Sequence, residues 1–547
     1  MGPFEPAPSP VETRSWPRGV SQLDAVLFAI VCLVATSGRM SLEPYDDAYF
    51  FKRFALNLLR HGVLAWNPAD GPVYGNTSQL FQWLTVPIAL LTEAHWVVAV
   101  RVVLALCLWG CAFTVVRAVR STGVASPAWL LLASPVAIAT IFSGMETALC
   151  LLLCGWFLRQ LALGPSPARD AGLVALAWLA FLARPDTLLL TSLSWVVVRG
   201  RQGSVRSLLW LGLGVGTALL ACRVYYGTAL PLSFFLKSGA SALYDPAFVA
   251  ISRVSKFHNL AWLALISAPF LFIVAHGGER RSAALLLPAA AFVAFHALTT
   301  VEVMGMHARF YVPALPWLAC VATRAYPRYL ERARPAPVAC ALLLLALGAL
   351  AAHRFGWAPT QHGWPIGRLA PAAHVAWIAA ASVLLWPVGI DARARTGLSL
   401  GVMCLGLVLA YPPRMRAWPS DDDYLRRSQR AVTSYAGLDR LVRCLGSRVR
   451  VYHSEVGLLG LRLREAHITD LGGLMTPELT LGKRTFDAMC KRDTPDAIFL
   501  PHRNYRGLNA SIRSGQCLRG YTRVTTRSSS PLFIRNDRVQ AYRCSHR

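Results

Sequence analysis

Apolar runs separated by short, arginine-bearing polar stretches recur from residue 21 to residue 412, and each is read as a helix crossing a bilayer. The candidate spans are approximately 21–38, 95–117, 124–142, 147–163, 169–184, 186–199, 207–226, 257–276, 282–300, 310–328, 337–353, 373–390 and 396–412, thirteen in all. A polar, Pro-rich tail, 1–20, precedes them. No small-residue cleavage site follows the first run, so it is taken as a retained span rather than a cleaved signal. The stretch from Leu80 to Glu93 is also apolar, but it is short and interrupted by Pro87. Counting it as a full span would invert every later loop, so it is assigned as re-entrant or interfacial.

With the N-terminus cytoplasmic, the tight basic clusters fall on one side. They are Arg117 and Arg120, Arg159 and Arg169, Arg199 to Arg206, Arg280 and Arg281, Arg324 to Arg334, and Arg393 and Arg395, as the positive-inside rule asks. The opposite side receives the long first loop, 39–94, the stretch Ser143–Thr147, the turn Arg184-Pro185-Asp186, the loop 226–256 with Tyr226 and Lys237, and 301–309 with Glu302, His307 and Arg309. Almost all the polar chemistry is therefore expected to be extracytoplasmic.

After Tyr411-Pro412-Pro413 the pattern changes. Short strands at 448–453, 466–470 and 496–500 alternate with helical stretches near 455–461 and 483–491. Strands at 521–527, 531–535 and 539–544 follow, with Asn536-Asp537 as a turn signal. A C-terminal extracytoplasmic α/β domain over 413–547 is expected, beside a transmembrane module over 21–412. Cys444, Cys490, Cys517 and Cys544 lie in this tail; they permit two disulfides, with Cys517–Cys544 preferred and free thiols as the alternative. Cys107/Cys111 and Cys150/Cys154, at i,i+4 spacing without an interleaved His or carboxylate, read as packing residues rather than metal ligands.

Composition agrees with a polytopic membrane protein: of 547 residues 55% are hydrophobic and 15% charged, and mean hydropathy is +0.43. A net charge of +27 would suggest nucleic acid in a soluble protein, but here about half of it sits in the tail, with 25 Lys and Arg against 12 Asp and Glu. A basic domain beside a bilayer suits anionic headgroups, phosphates or acidic glycans, or is simply a basic surface; no nucleic-acid partner is implied.

Two adjacent carboxylates, Asp46 and Asp47, stand just past the first span. Charges at the hydrocarbon boundary must be solvated, paired or functional, so the pair is a candidate site against the plainer reading of a solvated acidic loop. Phe50, Phe51, Phe54, Leu58 and Leu59 follow at helical spacing, with Lys52, Arg53, Asn57 and Arg60 interleaved, which reads as an interfacial helix. No Gly-rich phosphate loop, zinc-type spacing or Ser-His-Asp set accompanies them.

The loop from Asp46-Asp47-Ala48-Tyr49 through Trp66-Asn67-Pro68 to Tyr74-Gly75-Asn76-Thr77 resembles that of the GT-C glycosyltransferases that use polyprenyl-phosphate sugars, most closely the bacterial arabinofuranosyltransferase-like group. Similar stretches follow at Gly144-Met145-Glu146-Thr147, Arg184-Pro185-Asp186, Tyr225-Tyr226-Gly227 with Leu230-Pro231 and Lys237, Arg309-Phe310 with Pro313 to Pro316, and Asp470 to Leu474. The resemblance runs from about residue 40 to 320, with a weaker echo in the tail. The loop departs from it at Tyr74–Leu80, where the family has Glu-Gly-Tyr-Thr.

The resemblance implies a GT-C-like fold of about thirteen transmembrane helices and an inverting transfer of a sugar, arabinofuranose-like in that group, from a polyprenyl-phosphate donor to a cell-envelope glycan or glycolipid. Asp46 or Asp47 would be the general base, with Asp46 favoured. Such transfer also needs a cationic clamp on the leaving phosphate and a cleft that orients the sugar. Arg184, Lys237 and Arg309 are the clamp candidates, with His307 beside them; each also has a plainer role as a helix cap, a snorkelling chain or an interface anchor. Glu146, Asp186 and Tyr226 complete the donor-binding set. The paired acids could also hold a divalent metal, as in some members of the wider class, though no further carboxylate is close in sequence. The alternative is a transporter or lipid flippase without glycosyl transfer. Against it, no internal repeat is visible, and the charges gather at one rim rather than at span centres.

Overall fold

The computed structural model describes residues 25–26, 28–30, 32–33, 44–119, 127–163, 165–237, 246–278, 283–301, 308–332, 366–385, 398–399, 401–403, 435–445, 449–501, 505–524 and 531–543. The expected span 337–353, most of 396–412, and the candidates His307 and Cys544 lie outside these residues.

The first loop folds into α1 (Ala48–His61), a 3-10 turn (Pro68–Asp70) and α2 (Gln79–Leu91). The helical module continues with α3 (Trp96–Ala118), α4 (Pro127–Leu132), α5 (Pro135–Phe142), α6 (Thr147–Ala162), α7 (Pro167–Ala183), α8 (Thr187–Tyr226), α9 (Leu232–Lys237), α10 (Pro246–Gly277), α11 (Leu286–Thr299), α12 (Leu315–Arg332) and α13 (Ile366–Leu385). Among the described residues, Glu93–Ala118, Val205–Tyr226 and Lys256–Gly277 are long and apolar enough to cross a membrane; Gln79–Leu91, Thr147–Ala162, Thr187–Gly200 and Leu286–Thr299 are shorter apolar helices.

Local chemistry explains the breaks. The expected span 124–142 divides because Ser134 caps a new helix with Pro135 at its first position, and the Ser134 hydroxyl accepts the Ala137 N–H at 3.4 Å. The boundary expected between 199 and 207 falls at Gly200, whose φ of +69° splits α8 into two helices. The Pro87-bearing piece is a helix of 13 residues, about 20 Å long and short of the roughly 30 Å hydrocarbon core.

Helices α3 and α6 form the centre of the apolar core. Their cysteines, Cys107, Cys111, Cys150 and Cys154, are buried and outside any disulfide. Gly155 permits the approach, since a Cβ there would lie 2.8 Å from the Thr114 hydroxyl and 3.2 Å from the Cys111 carbonyl oxygen.

The tail is an α/β domain built on a five-stranded sheet, with strands β1 (Arg450–His453), β2 (His467–Asp470), β3 (Ala497–Phe499), β4 (Tyr521–Val524) and β5 (Leu532–Arg535) in the order β2-β1-β3-β5-β4. The first three pair in parallel and the last two antiparallel. Around it lie α14 (Tyr435–Leu445), α15 (Gly457–Arg462), α16 (Pro477–Thr480), α17 (Phe486–Asp493), α18 (Arg506–Ser514) and α19 (Val539–Arg543). The last of these replaces the strand expected at 539–544: a 3-10 turn at Asn536–Arg538 runs straight into helix instead of reversing the chain.

The disulfide also differs from expectation. Cys490 on α17 pairs with Cys517, in the turn after α18, rather than Cys517 with Cys544. The bond closes a sequence separation of 27 residues, for which loop-closure entropy gives about 3–4 kcal/mol of stabilisation. Reduction is therefore expected to lower the urea midpoint of the tail; an unchanged midpoint with dithiothreitol would show that the bond contributes nothing.

Helix α1 is not a surface helix. Phe50, Phe51 and Phe54 are buried, and so are Lys52 and Arg53, because α2 covers one face and the tail covers the other. Buried Arg53 donates from Nε to the Trp66 carbonyl at 2.8 Å, from Nη1 to the Gly460 carbonyl, and from Nη2 to the Ala466 carbonyl at 3.3 Å; its guanidinium also lies 4.5 Å over the Trp66 ring. Asn67 adds a two-way bond to the β2 backbone, accepting from Ile468 N–H and donating to its carbonyl, both at 3.0 Å. The Asn-Pro element of the loop is thus a docking device for the tail.

Candidate active site

The paired acids sit at the entry to α1. The chain is pinned there by Tyr45 N–H donating to the Ser143 carbonyl at 3.1 Å. Gly144 makes the approach possible: its φ is +67°, and a Cβ would come within 2.9 Å of the Ala48 Cβ. The loops carrying Asp46-Asp47 and Glu146 are therefore locked together.

The two carboxylates face different ways. Asp46 turns to the tail and accepts from Gly457 N–H and Leu458 N–H, both at 2.8 Å, at the first turn of α15. Burial pushes it up to about 6, against these two donors, which pull it down. Asp47 stands at the N-cap position of α1 without a side-chain capping bond and lines a cavity of about 450 Å³, with its Oδ2 3.7 Å from Arg309 Nη2. Asp46 is not among the cavity-lining residues.

Most of the other expected residues meet at the same cavity: Glu146, Arg184, Asp186, Lys237 and Arg309 all line it. The three cations surround one ring. Arg184, Lys237 and Arg309 place their charged groups 5.7, 5.4 and 5.2 Å from the centroid of Phe310. Asp186 is a buttress within this group, chelated by Arg184, whose Nε donates to Oδ1 at 3.1 Å. Arg184 Nη1 donates to the Arg309 carbonyl at 3.2 Å.

Lys237 ends α9. Burial and the neighbouring Arg309 push it down to about 8. Its ammonium is therefore lost as pH rises through about 8, and capture of an anionic ligand should fall above that pH. In the pH dependence of anion binding, Lys237→Arg is expected to remove this alkaline limb; a variant profile with the same limb would assign it to another group.

Tyr226 does not reach the cavity lining. It stacks on Tyr74 at 4.9 Å between centroids, and its hydroxyl donates to Gln79 Oε1 at 2.9 Å, so it braces the loop. His307 lies outside the described residues. Among the described residues, the histidine at the cavity is His296, which sequence reasoning missed; its Nε2 is 2.8 Å from Asp186 Oδ2. Its place inside an apolar helix gave no local signal, and the partner is 110 residues away.

The tail contributes a roof. Asp470 accepts from Gly472 N–H at 2.7 Å and Met475 N–H at 3.0 Å, folding the Asp470–Met475 stretch so that Leu474 reaches the cavity. Burial pushes Asp470 up to about 7. Opposite it, Gly75 is required, since a Cβ would meet Met475 Sδ at 2.2 Å and the Leu474 carbonyl at 2.9 Å. The stretch Gly75-Asn76-Thr77, where the loop departs from the resemblance, thus lies directly in the lining.

Among the described residues, three buried polar atoms on the cavity lining find no hydrogen-bond partner: Glu146 Oε2, Ser233 Oγ and Arg309 Nη1. Buried polar groups are nearly always satisfied, so an acceptor, a hydroxyl and a cationic donor left open around one hollow mark a polar ligand's place. Among the described residues, no group of three or more His, Cys, Asp or Glu side chains could hold a metal ion, and no step is derived through one.

No protein-family model matches the chain, and no curated protein matches it. Solved structures do. ArnT from Cupriavidus metallidurans bound to undecaprenyl phosphate aligns with TM-score 0.52 and 16% identity, over 93% of this chain and 97% of that one. Its apo state aligns with TM-score 0.55 and 18% identity over the same shares. The chain therefore shares the fold of these structures, a polytopic helical module followed by a C-terminal sheet domain.

Proposed function

We propose that the chain is a membrane glycosyltransferase that moves a sugar from a polyprenyl-phosphate donor to a cell-envelope glycan or glycolipid hydroxyl, with inversion, and that Asp47 is its general base. The observation that carries this reading is the cavity itself: a carboxylate, three clustered cations and three unpartnered polar atoms around one hollow. A fold shared with ArnT, a GT-C glycosyltransferase one of whose structures holds undecaprenyl phosphate, supports it. The arabinofuranose-like sugar belongs to the proposal on the sequence resemblance alone, as do the extracytoplasmic placement of the site and tail and the domain limits at 20 and 412.

In this scheme Arg309, Lys237 and Arg184 hold the donor phosphate, and Phe310 keeps the three charges together when the site is empty. Glu146 Oε2 and Ser233 Oγ meet sugar hydroxyls. When the phosphate engages Arg309, the guanidinium is drawn away from Asp47 and the carboxylate is free to meet the acceptor hydroxyl. Asp47 then takes the proton of the acceptor hydroxyl as that oxygen bonds to the anomeric carbon. The anomeric carbon–oxygen bond to phosphate breaks on the opposite face, and its electron pair leaves with the phosphate. Asp46 holds the tail in place and has no part in proton transfer.

The test is transfer of label from a panel of polyprenyl-phosphoryl sugars by the purified protein in proteoliposomes. Transfer from at least one donor is the expected result. Lipid translocation with no glycosyl product from any donor would favour the transporter reading.

A further inference from the structure

His296 links the cavity to the cation cluster through both ring nitrogens. Its Nε2 faces Asp186 Oδ2 at 2.8 Å, and its Nδ1 faces the Thr300 hydroxyl at 3.0 Å. The Asp186 carboxylate, chelated by Arg184, has no proton to offer, so Nε2 carries the hydrogen and donates. The direction of the second bond then depends on the ring. A neutral imidazole accepts at Nδ1 and takes the Thr300 O–H; an imidazolium donates from Nδ1 and turns the Thr300 hydroxyl outward as a donor.

Thr300 is held for such a role. Its N–H donates to the His296 carbonyl at 3.2 Å while its hydroxyl meets the ring of the same residue. Thr300 and His296 both line the cavity. Val301 N–H donates to the Lys237 carbonyl at 3.0 Å, which sets Thr300 beside the helix that carries the third cation. The His296 ring also stacks on Phe310 at 5.8 Å, the ring the three cations surround.

Building on the lipid-phosphate reading of the cavity, we propose that Thr300 is a further phosphate-contacting residue, positioned by His296, and that the proton on His296 decides whether its hydroxyl donates to the phosphate. No covalent step is involved. His296 acts as a positioning residue: charged, it adds one hydrogen-bond donor to the clamp; neutral, it withdraws that donor.

Among the described residues, the charged groups facing this unit are Asp186 and Arg184 from the α7–α8 turn, Arg309 from the segment before α12, Lys237 from α9 and, across the cavity, Glu146 and Asp47. Their contribution to a pH profile must be separated from that of His296. Lys237 loses its proton near pH 8 and Asp46 near 6, and both remain in a Thr300→Val variant, so the difference between wild type and that variant isolates the hydroxyl.

The probe is an undecaprenyl methyl phosphodiester in detergent, whose single phosphate charge stays fixed between about pH 5 and 8, so that any change of binding with pH comes from the protein. Binding is followed by intrinsic tryptophan fluorescence. Wild type is expected to bind about tenfold more tightly at the acidic end, Thr300→Val to lose that gain, Thr300→Ser to keep it, and His296→Gln to bind with a flattened profile. Thr300→Val with the wild-type slope, or Thr300→Ser behaving like Val, would overturn this inference and leave the lipid-phosphate reading standing. Wild type that binds no diester at any pH would overturn the lipid-phosphate reading and this inference together.

Discussion

Asp47→Asn is expected to lower kcat for glycosyl transfer by about 10²- to 10⁴-fold, or roughly 3–5 kcal/mol of barrier, while leaving donor KM equal or lower. Asparagine keeps the shape of the side chain and its place at the start of α1 but cannot accept the acceptor proton. It also removes a negative charge 3.7 Å from Arg309, and with it a competitor for that guanidinium. A fall in kcat with no rise in KM is the pattern of an interaction made in the transition state. Asp46→Asn serves as the contrast. Its carboxylate faces α15, so it should lose thermal stability and only a modest part of kcat. A wild-type rate in Asp47→Asn, or a larger loss in Asp46→Asn with stability intact, would move the base to Asp46.

Gly457→Ala is expected to cost about 3 kcal/mol or more and to abolish activity with every cavity residue in place. A Cβ at this position would lie 2.0 Å from the Asp46 carbonyl oxygen and 2.8 Å from its carbonyl carbon. Backbone would meet backbone there, and no rotamer change relieves it. The tail must lift, and both N–H bonds to the buried Asp46 carboxylate are lost with it. Leu474 is then withdrawn from the cavity roof, admitting water to a site that depends on a low dielectric. The measurements are thermal unfolding and limited proteolysis between module and tail. Gly507→Ala is the control: nothing lies within 4 Å of a Cβ there, and alanine should help the exposed helix slightly. Equal stability of the two variants would show that the tail does not dock through Asp46.

Much of this arrangement was legible because it depends on cost. Asp47, Arg184 and Arg309 are charges at span ends, expensive unless used, and they converge as that expense implied. The parallel strands of the tail were legible from short β-branched runs between helical stretches. What was not legible is direction. Adjacent aspartates look equivalent in sequence, yet the helix entry turns one inward and the other toward a domain about 410 residues later. The α1 stripe suggested a helix lying in the headgroups because amphipathicity says which face is buried, not by what. Arg53, from its polar face, turned out to be buried by the tail. His296 was hidden for a similar reason: a histidine in an apolar run gains meaning only from Asp186, brought near by the packing of α8 against α11. The disulfide depended on where α18 folds back on α17, which cysteine spacing cannot encode.

A cryo-EM structure of the protein with undecaprenyl phosphate bound decides whether the three cations hold the donor phosphate. Phosphate density is expected among Arg184, Lys237 and Arg309, against Phe310, with Asp47 facing open space on the sugar side and Asp46 still bonded to Gly457 and Leu458. Phosphate density elsewhere, or a lipid headgroup that leaves all three cations untouched, would contradict that placement.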